Sequence, residues 1–192
     1  MYPAGMNRRT PRLGERSWRK PRDGGSDRRL QRAAQQNGSA AEEERMSILS
    51  MREPDGAALA LFSEQDDFMQ DFLGEDRRYY TRYGTHEHLE KIWVIYDGDS
   101  PAGCIAFRQK AEGFGEVKRL FVRAQHRGKG LSKPLLAAVE ARARERGCRT
   151  LFLDTRITLE PAVSIYRRAG FQIVFQQGLY IQMEKTLSAE DK

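Results

Sequence analysis

From Met46 onward, apolar residues recur in two rhythms that lay out the elements. Residues 47–52 predict a short strand, and Glu53-Pro54-Asp55-Gly56 breaks it, with Asp55 placed to cap a helix. From Ala57 to Leu73 the apolar positions Ala58, Leu61, Phe62, Phe68, Met69, Phe72 and Leu73 lie three, four and seven apart. That spacing makes one helical stripe, and Gly74 ends it. Residues 75–90 are polar but carry Tyr79, Tyr80 and Tyr83, a loop or a short, loosely held helix. The period then shortens. Ile92–Tyr96, Pro101–Gln109 and Glu116–Val122 read as three strands separated by Asp97-Gly98-Asp99 and Glu112-Gly113-Phe114-Gly115, an antiparallel meander. From Leu131 to Arg146 the helical rhythm returns, with Leu131, Leu135, Val139 and Ala143 four apart and Gly147 as the C-terminal cap. Thr150–Thr155 has a nearly continuous apolar centre, as a strand covered on both faces does. Strand, helix, strand in so short a span predicts a βαβ unit, with Glu116–Val122 and Thr150–Thr155 parallel. A second helix over about Glu160–Ala169, with Pro161 in its first turn, and a closing hairpin of Phe171–Phe175 and Leu179–Thr186 complete the chain. The prediction is a single α/β domain with a mixed sheet.

Charge changes this picture only at the N-terminus. Residues 1–45 hold 11 Arg and Lys against 6 Asp and Glu, a net +5, while the remainder holds 22 against 21, a net +1. The basic pI therefore belongs to the tail, and the near-neutral remainder argues against nucleic acid as a partner of the core. The tail is rich in Arg, Pro, Gly and Ser, with almost no Val, Ile or Phe, and reads as a disordered segment from 1 to 45 preceding a domain over 46–192. An arm for nucleic acid or an acidic partner, a transit peptide, and an upstream start ahead of Met46 or Met51 stand as other readings. Glu15, Asp23 and Asp27 count against a transit peptide. No apolar run is long enough to span a membrane, and the expected location is the cytoplasm. The two cysteines, Cys104 and Cys148, sit among apolar residues and read as buried reduced thiols. His86 and His88 lack further ligands at a useful spacing, so no metal site is expected.

One segment carries chemistry. Gln125-His126-Arg127-Gly128-Lys129-Gly130 lies between a predicted strand and a predicted helix. The first amides of a helix point outward and the helix dipole adds positive charge there. Glycines let the backbone curl around an anion, and Arg127 and Lys129 add full charges, so a diphosphate fits. A P-loop is excluded, because Gly128 and Gly130 are one residue apart and Ser132-Lys133 is reversed. A Rossmann turn is excluded because position 133 is Lys. Pro134 has no amide to offer, but the amides from Arg127 to Lys133 remain available.

With that turn, the chain resembles the GNAT superfamily of N-acetyltransferases. The first matching stretch is Glu116-Val117-Lys118-Arg119-Leu120-Phe121-Val122-Arg123 followed by the turn from Gln125 to Gly130. The second, about 35 residues on, is Ala162, Ile165, Tyr166, Gly170 and Phe171 in the pattern A-x-x-hydrophobic-Tyr-x-x-x-Gly-Phe. Leu159 stands where many members have Asn, so the cofactor-side bond made there is absent or comes from another group such as Thr158. The resemblance implies acetyl-CoA as co-substrate. Its diphosphate would lie on amides from about Arg127 through Gly128, Lys129, Gly130 and Leu131 to Ser132, with Gln125 and His126 opening the turn. It further implies that the two parallel strands splay, leaving backbone groups of Leu120, Phe121 and Val122 to bond the pantetheine arm, one of them holding the thioester oxygen.

For catalysis the resemblance implies Glu116 as general base and Tyr166 as the acid that protonates the leaving thiolate. Each has a structural reading beside it: an ion pair of Glu116 with Lys118, and a core tyrosine packed with Val163 and Ile165. Tyr79, Tyr80 and Tyr83 are candidates for lining the acceptor side, where Glu87, Glu90, Asp66 and Asp67 can attract a cationic amine. The expected acceptor is the primary amine of a small molecule. A protein or aminoacyl-tRNA acceptor, and a non-catalytic acyl-CoA sensor, are the alternatives, and a homodimer is compatible with either.

Overall fold

The computed structural model describes residues 45–73 and 88–187. Tyr79, Tyr80 and Tyr83, together with Gly74, His86, Glu87 and the tail up to residue 44, lie outside the described residues. The strands are β1 (Met46–Met51), β2 (Lys91–Asp97), β3 (Ser100–Ala111), β4 (Phe114–Val122), β5 (Thr150–Arg156), β6 (Gln172–Gln177) and β7 (Tyr180–Thr186). The helices are α1 (Gly56–Leu73), α2 (Ser132–Glu145) and α3 (Glu160–Arg168). They agree with the hydrophobic rhythm to within two residues at nearly every end. As predicted, Asp55 caps α1, its Oδ1 accepting the Ala58 amide at 2.8 Å.

Among the described residues, seven strands form one mixed sheet in the order β1-β2-β3-β4-β5-β7-β6. β1 to β4 are an antiparallel meander, β4 and β5 are parallel, and β7 returns antiparallel between β5 and β6. The parallel pair is joined through α2, as a βαβ unit requires. Strand alternation sends the two halves of the core to opposite faces. On one face Ala58, Leu61 and Phe62 of α1 pack on Ile92, Val94, Cys104 and Ala106. On the other, Leu135, Leu136, Val139 and Ala143 of α2 and Val163 and Tyr166 of α3 pack on Ile105, Phe107, Val117, Leu151 and Leu153. Of the predicted α1 stripe, Phe68 and Phe72 stay exposed and stack on each other, with ring centroids 6.3 Å apart.

Two features of β4 open the sheet. Its pairing with β5 covers only Phe114, Gly115 and Glu116 against Thr150, Leu151 and Phe152. The contact is tight there: a Cβ on Gly115 would lie 2.6 Å from the Phe107 ring and 2.9 Å from Leu151. Beyond that point β4 runs on to Val122 and β5 to Arg156 with no ladder between them, so the sheet parts as a wedge. Second, β4 carries a bulge opposite Cys104–Ala106, where Arg119 adopts φ 57°. The extra residue bends the strand and increases its local twist. Arg119 is buried beneath α1, pairing with Asp66 and lying 5.0 Å above the Phe62 ring, which ties the helix to the bulge.

Candidate active site

The mouth of the wedge is the turn between β4 and α2. One turn of 3-10 helix, Ala124–His126, leads from the strand into it. Gly128 and Gly130 adopt φ 80° and 75°, a region that costs other residues energy, and nothing lies within 4 Å of where their side chains would start. Glycine is needed here for the curl of the backbone rather than for space. The Arg127 amide is bonded to Ala124 O and the Lys133 amide to Gly130 O. That narrows the predicted set of available donors, since both ends of the Arg127–Lys133 run are used inside the turn. The amides of Gly128, Lys129, Gly130, Leu131 and Ser132 have no backbone acceptor among the described residues. Leu131 precedes α2 without a side-chain cap. Five successive free donors at a helix N-terminus form an anion-binding concavity.

The side chains of the turn behave differently from their sequence reading. Lys129 Nζ sits 2.8 Å from Asp97 Oδ2, His126 Nδ1 is 3.3 Å from the same oxygen, and Arg45 reaches Asp97 Oδ1 at 3.1 Å. The Lys129 hydrogen bond, backed by the nearby cations, holds the Asp97 carboxyl below its ordinary value. Asp97 therefore clips the turn to the end of β2. Arg127 donates from Nε to Val122 O at 3.0 Å and lies 5.3 Å over the Phe68 ring. Both predicted cations thus have partners inside the protein, and the free donors of the turn are main-chain. Gln125 is exposed and His126 and Leu131 are buried; the His126 amide is bonded to Arg123 O, and Leu131 offers its amide.

Along the wedge, the Leu120 carbonyl accepts Gln65 Nε2 at 3.3 Å, while Val122 O is taken by Arg127. These N–H donors occupy the carbonyls that the amides of a pantetheine arm would use. Leu120 and Val122 pack toward the α2 side and Phe121 toward α1.

The two catalytic candidates lie on opposite faces of the sheet. Tyr166 is the seventh residue of α3, 8% exposed, with its ring edge-on to Phe171 at 5.9 Å and packed in the α2-side core. Glu116 points to the α1 side. Its Oε2 accepts Arg108 Nε at 2.6 Å and its Oε1 is 3.3 Å from Lys118 Nζ, with the carboxylate 3% exposed. The ion pair weighed against its catalytic reading is present, and Arg108, which sequence spacing does not single out, is the stronger partner. Beside them on the same face is Asp154 of β5, which the sequence pattern hides within an apolar strand. Its Oδ1 accepts the Tyr180 hydroxyl at 2.5 Å. Burial is the largest influence on both neighbours, pushing Asp154 up and Lys118 down. Cys104 and Cys148 are both buried and unbridged, and burial pushes the Cys104 thiol up to about 12.

A donor-lined turn opening into a wedge between parting parallel strands defines an acyltransferase scaffold. The acetyltransferase (GNAT) family matches residues 58–171, and the chain belongs to that family. It is 39% identical over 117 residues to an IAA acetyltransferase of Azospirillum brasilense, covering 60% of this chain and 76% of that one. Against another curated relative, from Bacillus subtilis, the match spans 55% of the relative's length. A crystal structure assigned as an acyl-CoA N-acyltransferase from Klebsiella pneumoniae superposes with TM-score 0.60 at 33% identity, over 74% of this chain and 98% of that one. A GNAT family acetyltransferase from Elizabethkingia anophelis with acetyl-CoA bound shares the fold, with TM-score 0.55 at 15% identity, over 75% of this chain and 99% of that one.

Proposed function

We propose that this chain transfers an acetyl group from acetyl-CoA to the primary amine of a small molecule. The observation that carries the reading is the parting of β4 from β5 after Glu116 and Phe152, with five free amides at its mouth. The amides of Gly128 to Ser132 hold the diphosphate. With the Leu120 and Val122 carbonyls taken by Gln65 and Arg127, the main-chain amides of this stretch align the pantetheine arm and supply a donor to the thioester oxygen. Bound there, acetyl-CoA provides an activated acyl carbon with a thiolate leaving group. Tyr166, on the α2 side of the sheet, donates a proton to the departing sulfur. Arg108, Glu116 and Lys118 form a fixed ion-pair cluster on the acceptor side. A small acceptor is favoured because the charge from residue 46 onward is nearly balanced, offering no field for a polyanionic RNA.

The test is release of free CoA from acetyl-CoA, measured with panels of small amines, peptides and aminoacyl-tRNA. Turnover with small amines supports the proposal. Turnover only with a macromolecule replaces the acceptor class, and acetyl-CoA binding without turnover on any acceptor turns the protein into a sensor.

A further inference from the structure

Five polar side chains from four strands meet on the α1 face beside the opening: Arg108 of β3, Glu116 and Lys118 of β4, Asp154 of β5 and Tyr180 of β7. They contain two carboxylates in unequal positions. Glu116 lies at the last rung of the parallel ladder, almost fully buried, with a cation on each oxygen. An amine approaching it would have to displace Arg108 or Lys118. Asp154 lies two residues beyond Phe152, the last residue of β5 paired with β4, on the open part of the wedge. It is half-buried, and only Oδ1 carries a hydrogen bond among the described residues, leaving Oδ2 for another donor.

We propose that Asp154 is the carboxylate that takes the acceptor's proton, with Tyr180 as the positioning residue that holds it, while Glu116 keeps Arg108 and Lys118 in place. This rests on the acetyl-transfer reading above and deepens it. The acceptor enters as an ammonium and hydrogen-bonds to Asp154 Oδ2. One proton passes to that oxygen, leaving a neutral amine and a carboxylic acid that later returns the proton to water. The nitrogen lone pair forms the new C–N bond to the acetyl carbon. The C–S bond breaks with its electron pair on sulfur, and the second nitrogen proton is passed on so that amide and thiol leave neutral. Tyr166 relays that proton to sulfur.

The groups that act on Asp154 are consistent with this role. Burial raises its affinity for a proton and Glu116 raises it further, while the Tyr180 hydroxyl, Lys118 and Arg108 lower it. Arg156 of its own strand and Glu184 of β7, opposite Phe152, share its neighbourhood by register. The net shift is upward. A carboxylate that binds a proton more tightly than usual is better matched to an ammonium than an ordinary one.

The experiment compares wild type, D154N, E116Q and Y180F, using the best amine from the panel. Acetyl-CoA affinity is read by calorimetry, folding by Tm, and kcat/KM across pH. D154N is expected to bind acetyl-CoA within about two-fold of wild type while kcat/KM falls about 10²–10³-fold. Its profile loses the acid limb. Y180F removes a bond that lowers the Asp154 value, so its acid limb moves to higher pH. E116Q is slower but keeps the limb. D154N within about three-fold of wild type with the limb intact, or loss of the limb in E116Q instead, overturns the assignment while leaving the acetyltransferase standing. Wild type that binds acetyl-CoA and acetylates no amine removes both.

Discussion

Gly128 and Gly130 show how much of this site rests on single backbone angles. At φ 80° and 75°, a side chain costs roughly 1–2 kcal/mol at each position although there is room for it. Gly128→Ala and Gly130→Ala are therefore expected to lower Tm modestly and to weaken acetyl-CoA binding by more than the stability change accounts for, because the amides turn away from a common centre. Calorimetry alongside thermal unfolding separates the two effects, and unchanged affinity in both variants would take the phosphate role away from the turn. Tyr166 tests the other end of the wedge. Its ring fills the core beside Phe171, so Tyr166→Phe keeps the packing and removes only the hydroxyl. The expected result is kcat lower by about 10²-fold, out of proportion to any change in Tm. Normal turnover would leave Tyr166 as a packing residue.

The elements hold the site through two joints. The first is the Asp97 clip between β2 and the turn, where one largely buried carboxylate gathers Arg45, His126 and Lys129. Its folded-state pKa is lowered from 3.8, so its stabilisation is fully present above that value and is lost as pH falls through the lower folded value. Asp97→Asn should thus lower Tm at pH 7, with the gap to wild type closing only in strong acid. Melting curves from pH 7 downward check this, and a gap that stays constant with pH would show that charge is not what the clip supplies. The second joint is the apex of the wedge at Gly115. A methyl group there meets Phe107 and Leu151 at distances that force them to shift, an overpacking cost of about 1–3 kcal/mol. Gly115→Ala should move the urea midpoint down with the slope unchanged.

For the whole molecule, a ligand that binds only the folded chain must stabilise it. At acetyl-CoA concentrations about 100-fold above Kd the gain is about 2.7 kcal/mol. For a chain of this size that corresponds to roughly 5–10 °C in Tm. In the proposed binding mode the phosphates rest on partial charges at a helix end, so the shift should shrink as salt rises. A thermal scan with acetyl-CoA at two salt concentrations measures both, and no shift at saturating acetyl-CoA would remove the cofactor from the proposal. Among the described residues no helix is long and apolar enough to cross a membrane.

Local rules determined the elements and the curled turn before α2. A helix period of 3.6 and a strand period of two are written directly into residue order, and two glycines before a helix mark a curled backbone whatever surrounds them. The wedge after Glu116, the partners of Arg127 and Lys129, and the joining of Asp154 to Tyr180 belong to the tertiary structure. In the sequence Asp154 is one polar residue in an apolar strand, because its partner lies 26 residues away and its neighbours come from two other strands. Glu116 is visible by its position in a motif, but Arg108 is set against it only by the register of β3 on β4. Sequence order carries periodicity and backbone permission. Which charges neutralise one another, and which is left facing the opening, depends on contacts made only when the sheet closes.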